Sequence, residues 1–128
     1  MNSILGIGTD IVDISRIKKL FNKNKRLKKR IFSLKEIEYC ESRTNKIASY
    51  SKRFAAKEAF AKALGTGISK GISFNEISVN NNKNGAPFIE LLGKTKIIFK
   101  NSTNKKKNIY LSLSDEKKYA LAMVVISY

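Results

Sequence analysis

The spacing of apolar residues changes from strand-like to helix-like and back along the chain. Ile, Leu and Val fall on both faces of residues 4–14, which reads as a strand. One face carries Ile4, Gly6, Gly8, Asp10, Val12 and Ile14. Asp10 sits mid-strand although Asp disfavours strands, and it lies beside two glycines whose missing side chains leave room for a ligand or another backbone. Ser15 then predicts an N-cap for a short helix from Arg16 to about Asn22. Residues 23–30 crowd charged and polar side chains around Leu27. Ser33 followed by Glu36 is a capping-box pattern and starts a second helix running to about Glu41. Residues 42–47 are predicted as loop.

A long helix follows. From Ser49 to Leu64 the chain is dense in Ala, Lys, Leu and Glu, the residues that lose least on becoming helical. This gives about 16 residues, or roughly 24 Å, and Gly65 provides the stop. Beyond Ile68 the period shortens. Phe74–Val79 and Pro87–Leu92 read as strands around the turn-forming stretch 80–85. Gly93 breaks the chain before a short helix over 94–100, and 101–107 is polar loop. Ile109–Ser114 and Tyr119–Ser127 form a second hairpin. Separate helical and strand blocks, without repeats or a linker, predict one α+β domain over residues 1–128.

Composition narrows the chemistry. The single Cys40 forms no internal disulfide and there is no His, which excludes Cys/His zinc sites and His-based catalysis. A metal here is held by oxygen and is therefore a hard ion such as Mg²⁺. No apolar run is long enough to span a bilayer and the N-terminus shows no signal-peptide pattern, so a cytoplasmic setting is expected. The net charge of +16 points to an acidic or phosphate-rich partner, although Lys, Asn and Ile enrichment also fits an A/T-rich coding sequence. The position of the charge therefore counts for more than its sum.

Glu58 is the odd residue of the long helix, sharing a mostly apolar face with Phe54, Ala55, Ala61 and Lys62. Such a carboxylate is solvated, paired or bound to a metal. Arg53 and Lys57 lie four apart on one helix face. The turn at Gly65, Thr66 and Gly67 is either an ordinary C-cap or a place where backbone N–H groups approach phosphate, with Lys62 one turn upstream.

Three blocks occur in order: Gly6-Ile7-Gly8-Thr9-Asp10-Ile11-Val12, the run Arg53–Ile68, and Leu111-Ser112-Leu113-Ser114-Asp115 before a Tyr-Ala strand. Together they closely resemble the holo-acyl-carrier-protein synthases, the small phosphopantetheinyl transferases of fatty-acid synthesis, over essentially the whole chain. The resemblance implies an antiparallel sheet packed on a long central helix. It implies transfer of 4′-phosphopantetheine from coenzyme A to a serine of apo-acyl carrier protein, with Mg²⁺ and release of adenosine 3′,5′-bisphosphate. It places Asp10 and Glu58 as metal ligands and catalytic residues, with either Glu58 or a metal-bound water taking the serine proton. It places Arg53, Lys57, Lys62, Gly65, Thr66, Gly67 and Tyr110 at coenzyme A, and Arg16, Leu20, Lys23, Arg26, Leu27 and Lys28 at the acidic carrier protein. It implies a homotrimer with sites between subunits, consistent with the two-sided apolar run Tyr119–Ser127. Tyr110 stands where many members have His, and cannot become cationic near neutral pH. Asp115 stands where members have His or Asp. Two other readings compete: a basic RNA-binding module, which leaves Asp10 and Glu58 unexplained, and a non-catalytic relative. Neither nucleic acid nor a membrane is an expected partner.

Overall fold

The computed structural model describes residues 3–65 and 71–128. Its elements follow in the order β1 (Ile4–Asp13), α1 (Ile14–Lys23), α2 (Leu27–Ile31), α3 (Leu34–Glu41), α4 (Lys46–Leu64), β2 (Ile77–Asn81), β3 (Pro87–Leu91), α5 (Gly93–Asn101), β4 (Asn108–Asp115) and β5 (Tyr119–Ser127). This is the expected α+β architecture. The strands, however, form two sheets: an antiparallel three-stranded sheet ordered β1-β5-β4, and a separate β2-β3 hairpin. β5 is therefore the central strand of the larger sheet.

α4 lies across the inner face of that sheet. Ala55, Ala56, Ala59 and Ala63 are buried on it, against Ala120, Ala122, Val124 and Ile126 of β5. The two glycines of β1 explain how close it comes. A Cβ on Gly6 would stand 1.8 Å from the Ala63 carbonyl oxygen, and one on Gly8 would stand 1.8 Å from that of Ala59. The room these glycines leave is filled by helix backbone, not by a ligand. At the other end of α4, Phe21, Phe32 and Tyr50 pack ring against ring, with centroids 5.2 Å (Phe21–Tyr50) and 4.9 Å (Phe32–Tyr50) apart.

Local signals set most element ends. Ser33 and Glu36 make the expected capping box, and Gly65 closes α4 in the left-handed conformation at φ 78°. Three expectations are corrected. The cap of α1 is Asp13, whose Oδ1 accepts the Ser15 N–H at 2.9 Å, because the helix begins at Ile14, before Ser15. Residues 74–76 form a 3₁₀ turn and not the start of a strand. α4 begins at Lys46, capped by Asn45. Thr66, Gly67 and Ile68 lie outside the described residues.

A buried ionic network ties α3, α4 and β2 together. The Lys57 ammonium donates to Glu36 Oε1 at 2.7 Å and to the carbonyls of Phe74 and Ile77. Glu36 in turn accepts the N–H groups of Ser33 and Val79. Both side chains are fully buried. Burial pushes Lys57 below the ordinary lysine range, to about 8, against the opposing pull of Glu36.

Candidate functional site

Asp10 leaves the middle of β1 and Glu58 the middle of α4, where strand and helix cross. The two carboxylates line one cavity of about 300 Å³, with Ile11, Val12, Ile17 and Phe54 as apolar walls and Arg16 and Leu20 at α1. The close approach allowed by Gly8 brings the two elements together here. Burial raises the Glu58 carboxyl above its ordinary range, and the neighbouring Asp10 charge raises it further, against a smaller pull from Lys62. Two acids in one partly dry cavity repel, and a cation relieves that repulsion.

Lys62, one turn beyond Glu58, is that cation in this structure. Its ammonium donates to the Thr9 carbonyl at 2.9 Å and to Asp10 Oδ1 at 3.1 Å, while over half of its side chain remains in solvent. Among the described residues no group of three or more acids, Cys or His forms. Two carboxylates are nevertheless the donor set a partly hydrated Mg²⁺ takes when phosphate oxygens supply further ligands.

The other sequence-derived residues divide. Arg16 and Leu20, expected at a docking surface, line the carboxylate cavity itself. Lys23 and Arg26 are exposed around the end of α1, and Leu27 is half-buried against the core. Lys28 is held within the chain, 3.1 Å from Glu41 and over the rings of Phe21 and Tyr50 at 5.5 and 4.9 Å. Its side chain remains 36% exposed. Arg53 and Lys57 share a helix face, as expected, but that face is turned inward. Arg53 is 2% exposed and Lys57 fully buried with all three ammonium hydrogens donated. The expectation that Lys57 meets a phosphate is therefore corrected. Gly65 is exposed, with its N–H donated to the Lys62 carbonyl. Thr66 and Gly67 lie outside the described residues. Tyr110 stands exposed on β4, opposite Val125, on the sheet face turned away from α4.

A second, larger cleft of about 810 Å³ went unread in the sequence. Lys35, Tyr39, Arg43, Asn81, Lys83 and Phe88 are among its lining residues. The Arg43 guanidinium packs on the Tyr39 ring at 5.3 Å, and Arg53 lies 4.2 Å from the same ring while donating to Asn81 Oδ1 at 2.7 Å. Arg53 thus braces the cleft from behind. Cations, carboxamides and an aromatic ring suit a phosphorylated planar ligand. The residues come from α3, the loop after it and the β2-β3 hairpin, so no contiguous motif could announce them. This cleft and the carboxylate cavity share no lining residue.

Comparison with known proteins gives a consistent picture. Residues 6–124 match the family model of the 4′-phosphopantetheinyl transferase superfamily. The holo-[acyl-carrier-protein] synthase of Buchnera aphidicola is 47% identical over 97% of this chain and 98% of its own length. That of Pelagibacter ubique is 48% identical over 96% of both. The crystal structure of the Neisseria meningitidis holo-[acyl-carrier-protein] synthase superposes with a TM-score of 0.87 at 37% identity, covering 97% of this chain and 98% of that one. The Bacillus anthracis enzyme, solved in complex with CoA (3′,5′-ADP), gives 0.78 at 33% identity over 97% and 96%.

Proposed function

This chain belongs to the 4′-phosphopantetheinyl transferase superfamily, and we infer that it is a holo-acyl-carrier-protein synthase. It transfers the 4′-phosphopantetheine arm of coenzyme A to a serine of apo-acyl carrier protein, as part of fatty-acid synthesis. The observation that carries this reading is the end-to-end match to such synthases at 47–48% identity, on a fold that brings Asp10 and Glu58 to one cavity.

The residues account for the steps. The serine oxygen forms a bond to the phosphorus that bears the pantetheine arm, and the bond from that phosphorus to the bridging oxygen breaks. Adenosine 3′,5′-bisphosphate leaves. Asp10 and Glu58 would hold Mg²⁺, which when bound offsets charge on the diphosphate oxygens. Lys62 is placed to meet the same oxygens by leaving Asp10. Either Glu58 or a water held beside it takes the serine proton. Arg16 and Leu20 at the cavity mouth, with Lys23 and Arg26 beside them, present a basic rim with an apolar contact to an acidic carrier protein.

Assembly as a homotrimer is part of the reading. Ile7, Ile11, Leu121 and Met123 are exposed together on the outer face of the larger sheet, beside Tyr110 and Tyr119. Such a contiguous apolar face is rarely left open to water. A subunit seated there would let the nucleotide cleft of one chain serve the carboxylate cavity of another, and would place Tyr110 near the ligand. Sedimentation equilibrium giving a fully active 14.4 kDa monomer would end this part. A cytoplasmic setting is supported by Cys40, a buried free thiol. The test of function is direct. Incubation with coenzyme A, Mg²⁺ and apo-acyl carrier protein should add the phosphopantetheine mass to the carrier. Absence of that mass at saturating substrate would overturn the assignment.

A further inference from the structure

A third cavity, of about 330 Å³, opens where the C-terminus of α4 meets α5 and the edge of the larger sheet. Its volume lies at the lower end of the range for small-molecule sites. Leu64, Ile98, Phe99 and Ile126 line it, and so does Leu5. Leu5 is there for a particular reason: the β1-β5 register slips between Ile4 and Gly6, leaving Leu5 as an extra residue in a bulge. Bulges re-aim side chains, and this one lets a residue from an alternating strand join the wall of a cavity on the helix side.

The same wall contains one charge. Lys107 lines the cavity, and its Nζ is shut off from water with no hydrogen-bond or ion-pair partner among the described residues. Among the described residues its stabilising neighbour is the Phe99 ring, 4.9 Å from Nζ to centroid. The contrast is with Lys57, a fully buried lysine whose ammonium donates all three hydrogens, whereas the half-buried Lys107 has an inaccessible Nζ that donates none to the described residues. An enclosed charge without an anion is costly, and desolvation shifts the Lys107 ammonium toward its neutral form. An oxyanion with an apolar tail would satisfy both the charge and the wall.

We propose that this cavity is a binding site for a medium-chain carboxylate, with the alkyl tail among Leu5, Leu64, Ile98 and Ile126 and the carboxylate on Lys107. It shares no lining residue with the carboxylate cavity or the nucleotide cleft. The ligand class is therefore distinct from the substrates of transfer.

Octanoate and octan-1-ol, each below its aggregation limit, are titrated into the full-length protein by calorimetry and by amide chemical-shift mapping. Octanoate should bind about tenfold or more tightly than the alcohol, the difference expected of a hydrogen bond to a charged group, with shifts centred on α5 and the start of β1. Lys107→Met should erase that preference while Lys105→Met, which removes an equal charge from an exposed neighbour, should leave it. Leu5→Trp should block both ligands. Equal affinity for acid and alcohol, no saturable octanoate binding, or equal losses in Lys107→Met and Lys105→Met would overturn the proposal. Should Lys107→Met fail to fold by circular dichroism, Lys107→Gln and Leu5→Trp decide the matter on the same criteria.

Discussion

Two lysine–carboxylate pairs hang from α4, five residues apart, and they do opposite things. Lys57 meets Glu36 at 2.7 Å with both side chains fully buried. Lys62 meets Asp10 at 3.1 Å with its own side chain 56% exposed. The inner pair is saturated: every hydrogen on Lys57 is donated, and Glu36 also accepts two backbone N–H groups. Nothing is left for a ligand, and moving either partner would strand a charge. The outer pair is open at its lysine end, with the Asp10 side chain 17% exposed, so Lys62 can move into water at little cost and leave Asp10 to another cation. Similar chemistry on one helix yields a structural rivet and an exchangeable contact, and solvent access makes the difference.

The largest effect should come from breaking the inner pair. Lys57→Met leaves Glu36 charged and unpaired in the interior, at a cost of about 3–5 kcal/mol, read from denaturant unfolding. Adding Glu36→Gln removes the stranded charge while keeping an acceptor for a backbone N–H, and should recover more than half of that loss. A single variant as stable as the parent would show that the pair is not the rivet described here.

Breaking the outer site should spare the fold and remove the chemistry. Asp10→Ala or Glu58→Ala should lower transfer by about 10²–10³-fold, the scale for losing one charge-stabilising group at a reacting centre. Stability should change little, because the Lys62 freed by Asp10→Ala has a side chain 56% exposed to water and Glu58→Ala removes a carboxylate that burial and Asp10 disfavour. Carrier mass spectrometry beside thermal unfolding separates the two quantities. Near-normal turnover with metal chelated would remove Asp10 and Glu58 from the reaction.

Lys62→Met sharpens the contrast further. Coenzyme A affinity should weaken about tenfold, since a charged hydrogen bond to phosphate is lost. Affinity for Mn²⁺, used as a paramagnetic stand-in for Mg²⁺, should hold or rise because Asp10 is freed of its ammonium. Weaker Mn²⁺ binding in this variant would mean that Lys62 orders the site and does not merely occupy it.

A third pair lies between the extremes and should give the smallest effect. Glu41 accepts from Tyr50 Oη at 2.7 Å and from Lys28 at 3.1 Å, and these bonds, Tyr50's first, hold its carboxyl down at about 2. A depressed carboxylate contributes stability that is present above the ordinary glutamate value of 4.5. That contribution is lost as pH falls from there toward 2. Because Glu41 is about 40% exposed, Glu41→Gln should cost less than about 1 kcal/mol at neutral pH. It should also flatten the acid limb of the stability profile between those values. An unchanged acid limb would assign the acid sensitivity elsewhere.

Much of this molecule was legible in order along the chain. The capping box at Ser33, the stop at Gly65 and the hairpin strands follow from local backbone preference, which needs no knowledge of neighbours. Asp10 and Glu58 stood out because a carboxylate on an apolar strand or helix face demands a reason, and the three quoted blocks supplied the family. What only the tertiary structure decided is which way α4 faces. Helical periodicity correctly puts Arg53 and Lys57 on one face, but α4 is covered by the sheet on one side and by α3 and β2 on another. A helix buried on several sides carries no simple stripe to show where solvent lies. The fate of Lys57 was therefore set by Glu36, 21 residues away, and that of Gly6 and Gly8 by helix backbone more than 50 residues on. The larger cleft was hidden for the same reason: Tyr39, Arg43 and Asn81 line one space only when α3 and the β2-β3 hairpin meet.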